Sequence, residues 1–255
     1  MKRALPWLLA ALLAVALAAV LLCSKEDAYR PALALVGDVA NPLTVSRLDE
    51  LGNMTTAEFN GQRYEAIALA DLLALLQPQG QPQRIVFMAA DGFCAEITVD
   101  DLSQSYIVYG GVSGWFAVNP LHPVSANARQ LCRLVVVCEA DADNSIIVSN
   151  NGTETAYTAG QLYAGITLEY PYPEGTAEKE HDGAILTSTV VTRRLCVSPT
   201  ELGCPTGARL TLTTESGESI LTNGAGYFQL DGNHINYICA RPRQEAADVR
   251  RIEVK

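Results

Sequence analysis

Apolar and polar positions follow three different rhythms along the chain, and each predicts a different kind of structure. From Ala4 to Cys23 twenty apolar residues run without interruption, with Lys2-Arg3 before them and Ser24-Lys25-Glu26-Asp27 after. At ~1.5 Å rise per residue such a run just spans a ~30 Å hydrocarbon layer. From Pro31 to about Glu139 strand-like and helix-like spacings alternate. Beyond Ala140 short Thr/Val/Ile-rich runs are separated by turn clusters, which predicts strands and no helix of three turns.

In the middle segment, Leu33-Ala34-Leu35-Val36 reads as a short strand ending at Gly37-Asp38 and Asn41-Pro42. Ser46-Arg47-Leu48-Asp49 matches a capping box opening a short helix that Gly52-Asn53 stops. Met54 to Phe59 predicts a strand, with Asn60-Gly61 as a hairpin turn. Ala66 to Leu76 has apolar residues at helical spacing and Pro78 closes it. Arg84 to Ala90 predicts a buried strand, turning at Asp91-Gly92 and returning over Phe93 to Val99. Asp100-Asp101-Leu102 reads as a helical turn, and Tyr106 to Tyr109 and Leu131 to Cys138 as strands. In the last segment the strands fall on Ser145–Ser149, Ile166–Tyr170, Ala184–Thr192, Leu210–Thr214 and Tyr227–Leu230, with a tight hairpin at Asp231-Gly232.

Charge changes the picture at the N-terminus. Basic residues before the apolar run and none within it predict a start held on the cytoplasmic side and a body exported from Ser24 onward. Cys23 stands where a lipidated cysteine would be, although Leu22 precedes it, and the small-x-small triplet Ala16-Leu17-Ala18 lies inside the run. A retained anchor, a lipidated product and a cleaved product all remain open, the retained anchor fitting best. The net charge of −10 and the absence of any Lys/Arg cluster exclude a nucleic-acid partner.

The seven cysteines are Cys23, Cys94, Cys132, Cys138, Cys196, Cys204 and Cys239. Without a CxxC or a Cys/His cluster they point to disulfides or buried thiols rather than zinc. Cys132 and Cys138 on one strand stand about 20 Å apart and cannot pair. Cys196 and Cys204 flank Pro199 and Gly203 in a turn-rich segment, so a bridge is expected between them.

Candidate chemistry is sparse. His181 stands beside Asp182 in a polar turn, where a carboxylate could orient it as a base, but a loop histidine is the commoner meaning. His122 and His234 have no partner visible in sequence. Asp141-Ala142-Asp143-Asn144 hints at a calcium loop, yet Ile146 and Gly152 stand where Gly and Glu are needed. Tyr157, Tyr163, Tyr170 and Tyr172 gather near Pro171 and Pro173, as a packed surface or a ligand face. No phosphate-loop, dinucleotide or Gly-x-Ser-x-Gly motif is present.

Four pieces, in order, resemble the molybdopterin-binding domain of the sulfite-oxidase-like oxidoreductases: Leu35-Val36-Gly37-Asp38-Val39 with Pro42; Tyr64 to Leu73; Val86 to Phe93 with its Asp91-Gly92 turn; and Asn119-Pro120-Leu121 through Arg133 to Val137. They cover about residues 33 to 137. The resemblance implies a metal held by a cysteine thiolate on the strand before the second piece, yet Met54 to Phe59 carries none. Cys94 matches no ligand position, and Arg63 and Arg84 are the only basic residues between Arg63 and Tyr109.

These readings give an α+β protein: residues 1–30 a signal anchor and linker with a transmembrane helix, 31–139 a sulfite-oxidase-like mixed α/β domain, 140–255 a smaller, mostly β domain. The expected function is a membrane-anchored extracytoplasmic binding or accessory protein, single-pass in the cell membrane, with an unknown small-molecule or protein ligand. No catalytic or metal-ligating residue is assigned and no cofactor is expected. The rival readings are an active molybdopterin-dependent oxidoreductase and a purely structural envelope protein.

Overall fold

A computed structural model describes residues 31–111, 114–141, 144–165, 168–181, 184–240 and 242–255, and gives the backbone course alone for 168–181 and 184–193. Nineteen strands, β1 to β19, and two α-helices make up most of it. The first sheet holds β1 (Leu33–Gly37), β2 (Leu43–Val45), β5 (Pro82–Ala89), β6 (Cys94–Thr98) and β9 (Leu131–Cys138) in the order β2-β1-β9-β5-β6. Only β1 and β9 in it run parallel. The second is an antiparallel meander of β3 (Thr55–Phe59), β4 (Gln62–Ala68), β7 (Tyr106–Tyr109) and β8 (Trp115–Val118).

Two further sheets follow. One orders β10 (Ser145–Asn150), β11 (Thr153–Thr158), β14 (Leu210–Thr214), β15 (Ser219–Thr222) and β19 (Val249–Val254) as β11-β10-β19-β14-β15. The other holds β12 (Leu168–His181), β13 (Ala184–Val197), β16 (Tyr227–Asp231), β17 (His234–Ala240) and β18 (Arg243–Ala246) in sequence order. Helix α1 spans Leu69–Leu76 and α2 spans Ala159–Ala164.

At its centre the first sheet is buried on both sides, which explains the unbroken apolar run Leu134–Cys138 in β9. Leu33, Leu35, Ile85, Phe87, Leu134 and Val136 pack on one face with Ile67, Leu69, Leu72, Ile107 and Trp115. Val86, Val135 and Val137, on the other face, join Ile146, Leu210, Phe228, Tyr237 and Ile252 from the C-terminal half. One sheet therefore serves two cores and joins the two halves of the chain.

Several expectations are corrected. The architecture is mostly β rather than α+β, because the C-terminal half adds two five-stranded sheets and the described α-helices have only eight and six residues. Among the described residues no helix is long and apolar enough to cross a membrane. Eight residues rise about 12 Å, against the ~30 Å required. The transmembrane signal anchor, the membrane partner and the single-pass cell-membrane localisation with an extracytoplasmic body are thus unsupported. Ala4 to Cys23, on which they stood, lies outside the described residues.

Locally, Ala66-Ile67-Ala68 belongs to β4, not to a helix: Ala66 pairs with Thr55 and Val108, and Ile67 with Ile107, so sheet pairing on both sides overrides helical spacing. Helix α1 starts only at Leu69, whose N–H finds Ser105 O at 2.8 Å. Ser46 caps nothing; Leu48–Leu51 is a 3-10 turn flanked by Arg47, which binds Asp49 instead. Asp100 to Leu102 forms no helical turn, and Asp101 accepts from Ser103 N at 3.0 Å. The hairpin at Asn60-Gly61 has both residues at positive φ, 51° and 74°, as a type I′ turn requires.

The expected Cys196–Cys204 bridge is absent: both thiols are free. Strand alternation explains it. Cys196 packs with Ile238 in one cluster, whereas its neighbour Val197 joins Leu202 and Cys204 in the second core. The two sulfurs belong to different packed clusters.

Candidate functional site

Chemistry on this scaffold concentrates where the two halves meet, at Asp38. Gly37 ends β1 at φ +109°, a conformation suited to glycine, and a Cβ there would stand 2.2 Å from Val136 O. The chain can therefore press onto β9 and deliver Asp38 beneath it, where it is 2% exposed. Its Oδ2 accepts from Cys138 N at 2.8 Å and from Thr158 Oγ1 at 2.6 Å, and its Oδ1 accepts from Gly160 N at 2.7 Å. Burial pushes the carboxyl above its ordinary range, opposed by these three donors.

Helix α2 meets this carboxylate because of its own cap. Thr158 accepts from Gln161 N at 3.1 Å while Gln161 Oε1 accepts from Thr158 N at 3.1 Å, a complete capping box. That arrangement leaves the Gly160 N–H pointing out of the first turn, at the positive end of the helix, where a carboxylate is favoured. A Cβ at Gly160 would lie 2.4 Å from Val136 O and 2.5 Å from Asp38 Oδ2, so only glycine fits.

Beside this anchor lies a cleft of about 300 Å³ lined by Gln79, Gly80, Asp141, Asn144, Asn233 and Arg250, with Asp38 and Ala159 also in its wall. Its polar groups are tied to one another. Asn144 Nδ2 donates to Gln79 O at 3.1 Å and Glu139 O at 3.0 Å, and Asn233 Nδ2 donates to Gln79 Oε1 at 2.8 Å. Asp141 and Asn144 bond reciprocally, each backbone N–H to the other's side-chain oxygen, at 2.9 Å. Arg250 reaches Glu215 at 3.0 Å. The pair that hinted at a calcium loop thus builds the seam, and residues 142–143 lie outside the described ones.

The histidines are dispersed. His234 Nδ1 stands 2.5 Å from Asp248 Oδ1 on an exposed hairpin, a partner fourteen residues away that the sequence did not reveal. His122 Nε2 lies 3.0 Å from Asp101 O. The side chains of His181, Tyr170 and Tyr172, and Asp182 altogether, lie outside what is described. Tyr163 is buried in the second core, its hydroxyl pushed up to about 12 by desolvation, and Tyr157 packs against the same core. These two tyrosines pack inward rather than forming an open face.

The thiols are poorly disposed to act as ligands. Cys138 is buried and pushed up to about 12, first by desolvation and then by the Asp38 charge. Burial lifts Cys196 to about 11 and raises Cys204 as well. Cys132 Sγ contacts Met88 O at 3.5 Å, and Cys94 is exposed. Among the described residues no group of three or more His, Cys, Asp or Glu side chains could hold a metal ion. Arg84, one of the two basic residues near the expected cofactor region, is engaged by Glu96 at 2.6 Å.

No family model and no curated protein matches the chain. Among solved structures it is similar to the sulfane dehydrogenase SoxCD from Paracoccus pantotrophus, at 10% sequence identity and a TM-score of 0.35, over 86% of this chain and 70% of that one.

Proposed function

We propose that this chain is a binding or accessory module, built on a sulfite-oxidase-like first region, 31–139, fused to a β-rich second region, 140–255, and working without a metal centre. The observation that carries the reading is the state of the seam: its cleft is walled by the side-chain amides of Gln79, Asn144 and Asn233 with the partnered Asp141 and Arg250, and among the described residues it holds no activated group. Asp38 is sealed beneath three donors and Cys138 beside it stays a thiol. A site of this kind can hold a polar ligand by directed hydrogen bonds without transforming it.

The residues do not fit a molybdopterin group. Such a metal takes a soft thiolate, and β3 (Thr55–Phe59), the strand at the expected ligand position, carries none. The buried thiols elsewhere are held protonated. Reconstitution tests the reading: the full chain mixed anaerobically with molybdopterin should emerge from gel filtration free of pterin. Retention near one pterin per chain would replace it with the oxidoreductase alternative.

A further inference from the structure

We infer that the β12–β13 ribbon is a self-association arm through which two copies of this chain pair along the free edge of β13. The ribbon is far longer than its attachment. β12 and β13 pair from Leu168↔Cys196 to His181↔Ala184, yet among the described residues β13 joins the rest of its sheet only through Cys196↔Gln229 and Val197↔Phe228. From Leu195 to its tip the ribbon therefore extends as two strands for about 40 Å, with no other described strand beside it. A lone two-stranded ribbon is at best marginally stable in water, and each open edge carries a row of unpaired N–H and C=O groups.

The two edges differ in sequence. β12 is guarded: Pro171 and Pro173 lack an N–H, the register shifts between Pro173 and Gly175, and Glu169, Glu174, Glu178, Lys179 and Glu180 place charge along it. β13 is bare. From Ala184 to Thr192 it reads Ala-Ile-Leu-Thr-Ser-Thr-Val-Val-Thr, with no proline, glycine or charge and a strong β propensity. Charge returns only at Arg193-Arg194, where the ribbon nears the body.

The bare edge is also complementary to itself, which names its occupant. A two-fold axis through Ser188 sets Leu186 opposite Val190 of the second copy, Ile185 opposite Val191 and Thr187 opposite Thr189, apolar against apolar and threonine against threonine. Moving the axis by one residue breaks the match, opposing Leu186 to Ser188 or Ser188 to Val190. The centred register joins the two ribbons into one four-stranded sheet, with both guarded β12 edges outward.

The proposal is independent of the ligand reading and is tested on the full chain in mild detergent. Residues directly opposed on antiparallel strands have Cα atoms about 4.5–5.5 Å apart, within disulfide range. Ser188→Cys should therefore yield a covalent dimer under copper-phenanthroline oxidation, whereas Thr176→Cys on β12 should cross-link no more than the parent chain. Sedimentation velocity at micromolar concentration should show a dimer, and the double variant Thr187→Lys, Thr189→Lys a monomer. Cross-linking of Ser188→Cys no greater than the parent's, or a dimer that persists in the folded lysine variant, would overturn the proposal.

Discussion

The Gly160 N–H donates to Asp38 Oδ1 at 2.7 Å, tying the first turn of α2 to the end of β1 across 122 residues of sequence. Because the space around Gly160 is closed by Val136 O and by Asp38 itself, Gly160→Ala must push the helix away from the strand. A loss of about 1–3 kcal/mol is expected, read as a lower urea midpoint. Asp38→Ala should cost more, about 3 kcal/mol or above, since it strands three buried donors at roughly 1 kcal/mol or more each.

The same carboxyl sets a pH dependence. Burial raises its folded pKa above the ordinary value, so the folded state holds this proton more tightly than the unfolded chain. Its stabilising contribution is complete below the unfolded value, near 4, and is lost as pH rises through the folded one. The stability of the parent chain relative to Asp38→Asn should therefore fall in urea titrations as pH rises from the ordinary carboxyl value through the raised folded one. A difference that grows as pH rises above the ordinary carboxyl value would contradict the assignment.

Thiol accessibility follows burial. Iodoacetamide under native conditions should label Cys94 first, while Cys138, Cys196 and Cys204 react only after urea is added. A non-reducing peptide map should show Cys196 and Cys204 unlinked. A linked peptide would place the two sulfurs in one cluster, against the packing described.

The β3–β4 turn needs its left-handed residues. Gly61→Ala at φ 74° should destabilise by about 1–2 kcal/mol without altering the core, measured by thermal unfolding.

Much of the strand pattern was legible because alternation and apolar runs record burial directly: β1, β5, β9 and β14 stand close to where the spacing places them. The capping box of α2, Thr158-x-x-Gln161, is a signal readable in the sequence. Strand β8 was missed since all four of its residues are buried and no alternation shows. Helix α1 is shorter than its spacing predicts because Ala66-Ile67-Ala68 suits either period, and only the neighbours of β4 decide. The site was illegible for a different reason. Asp38, Cys138 and Gly160 meet only through the fold, and His234 finds Asp248 across two turns. The cysteine bridge failed because short sequence separation says nothing about which cluster each sulfur enters.

The central claim, a module without a metal centre, is tested most directly by elemental and pterin analysis of the full chain purified from a host that makes molybdenum cofactor. The account predicts molybdenum and pterin far below one per chain, with the protein folded and its cleft intact. Molybdenum and pterin each near one per folded chain would contradict it.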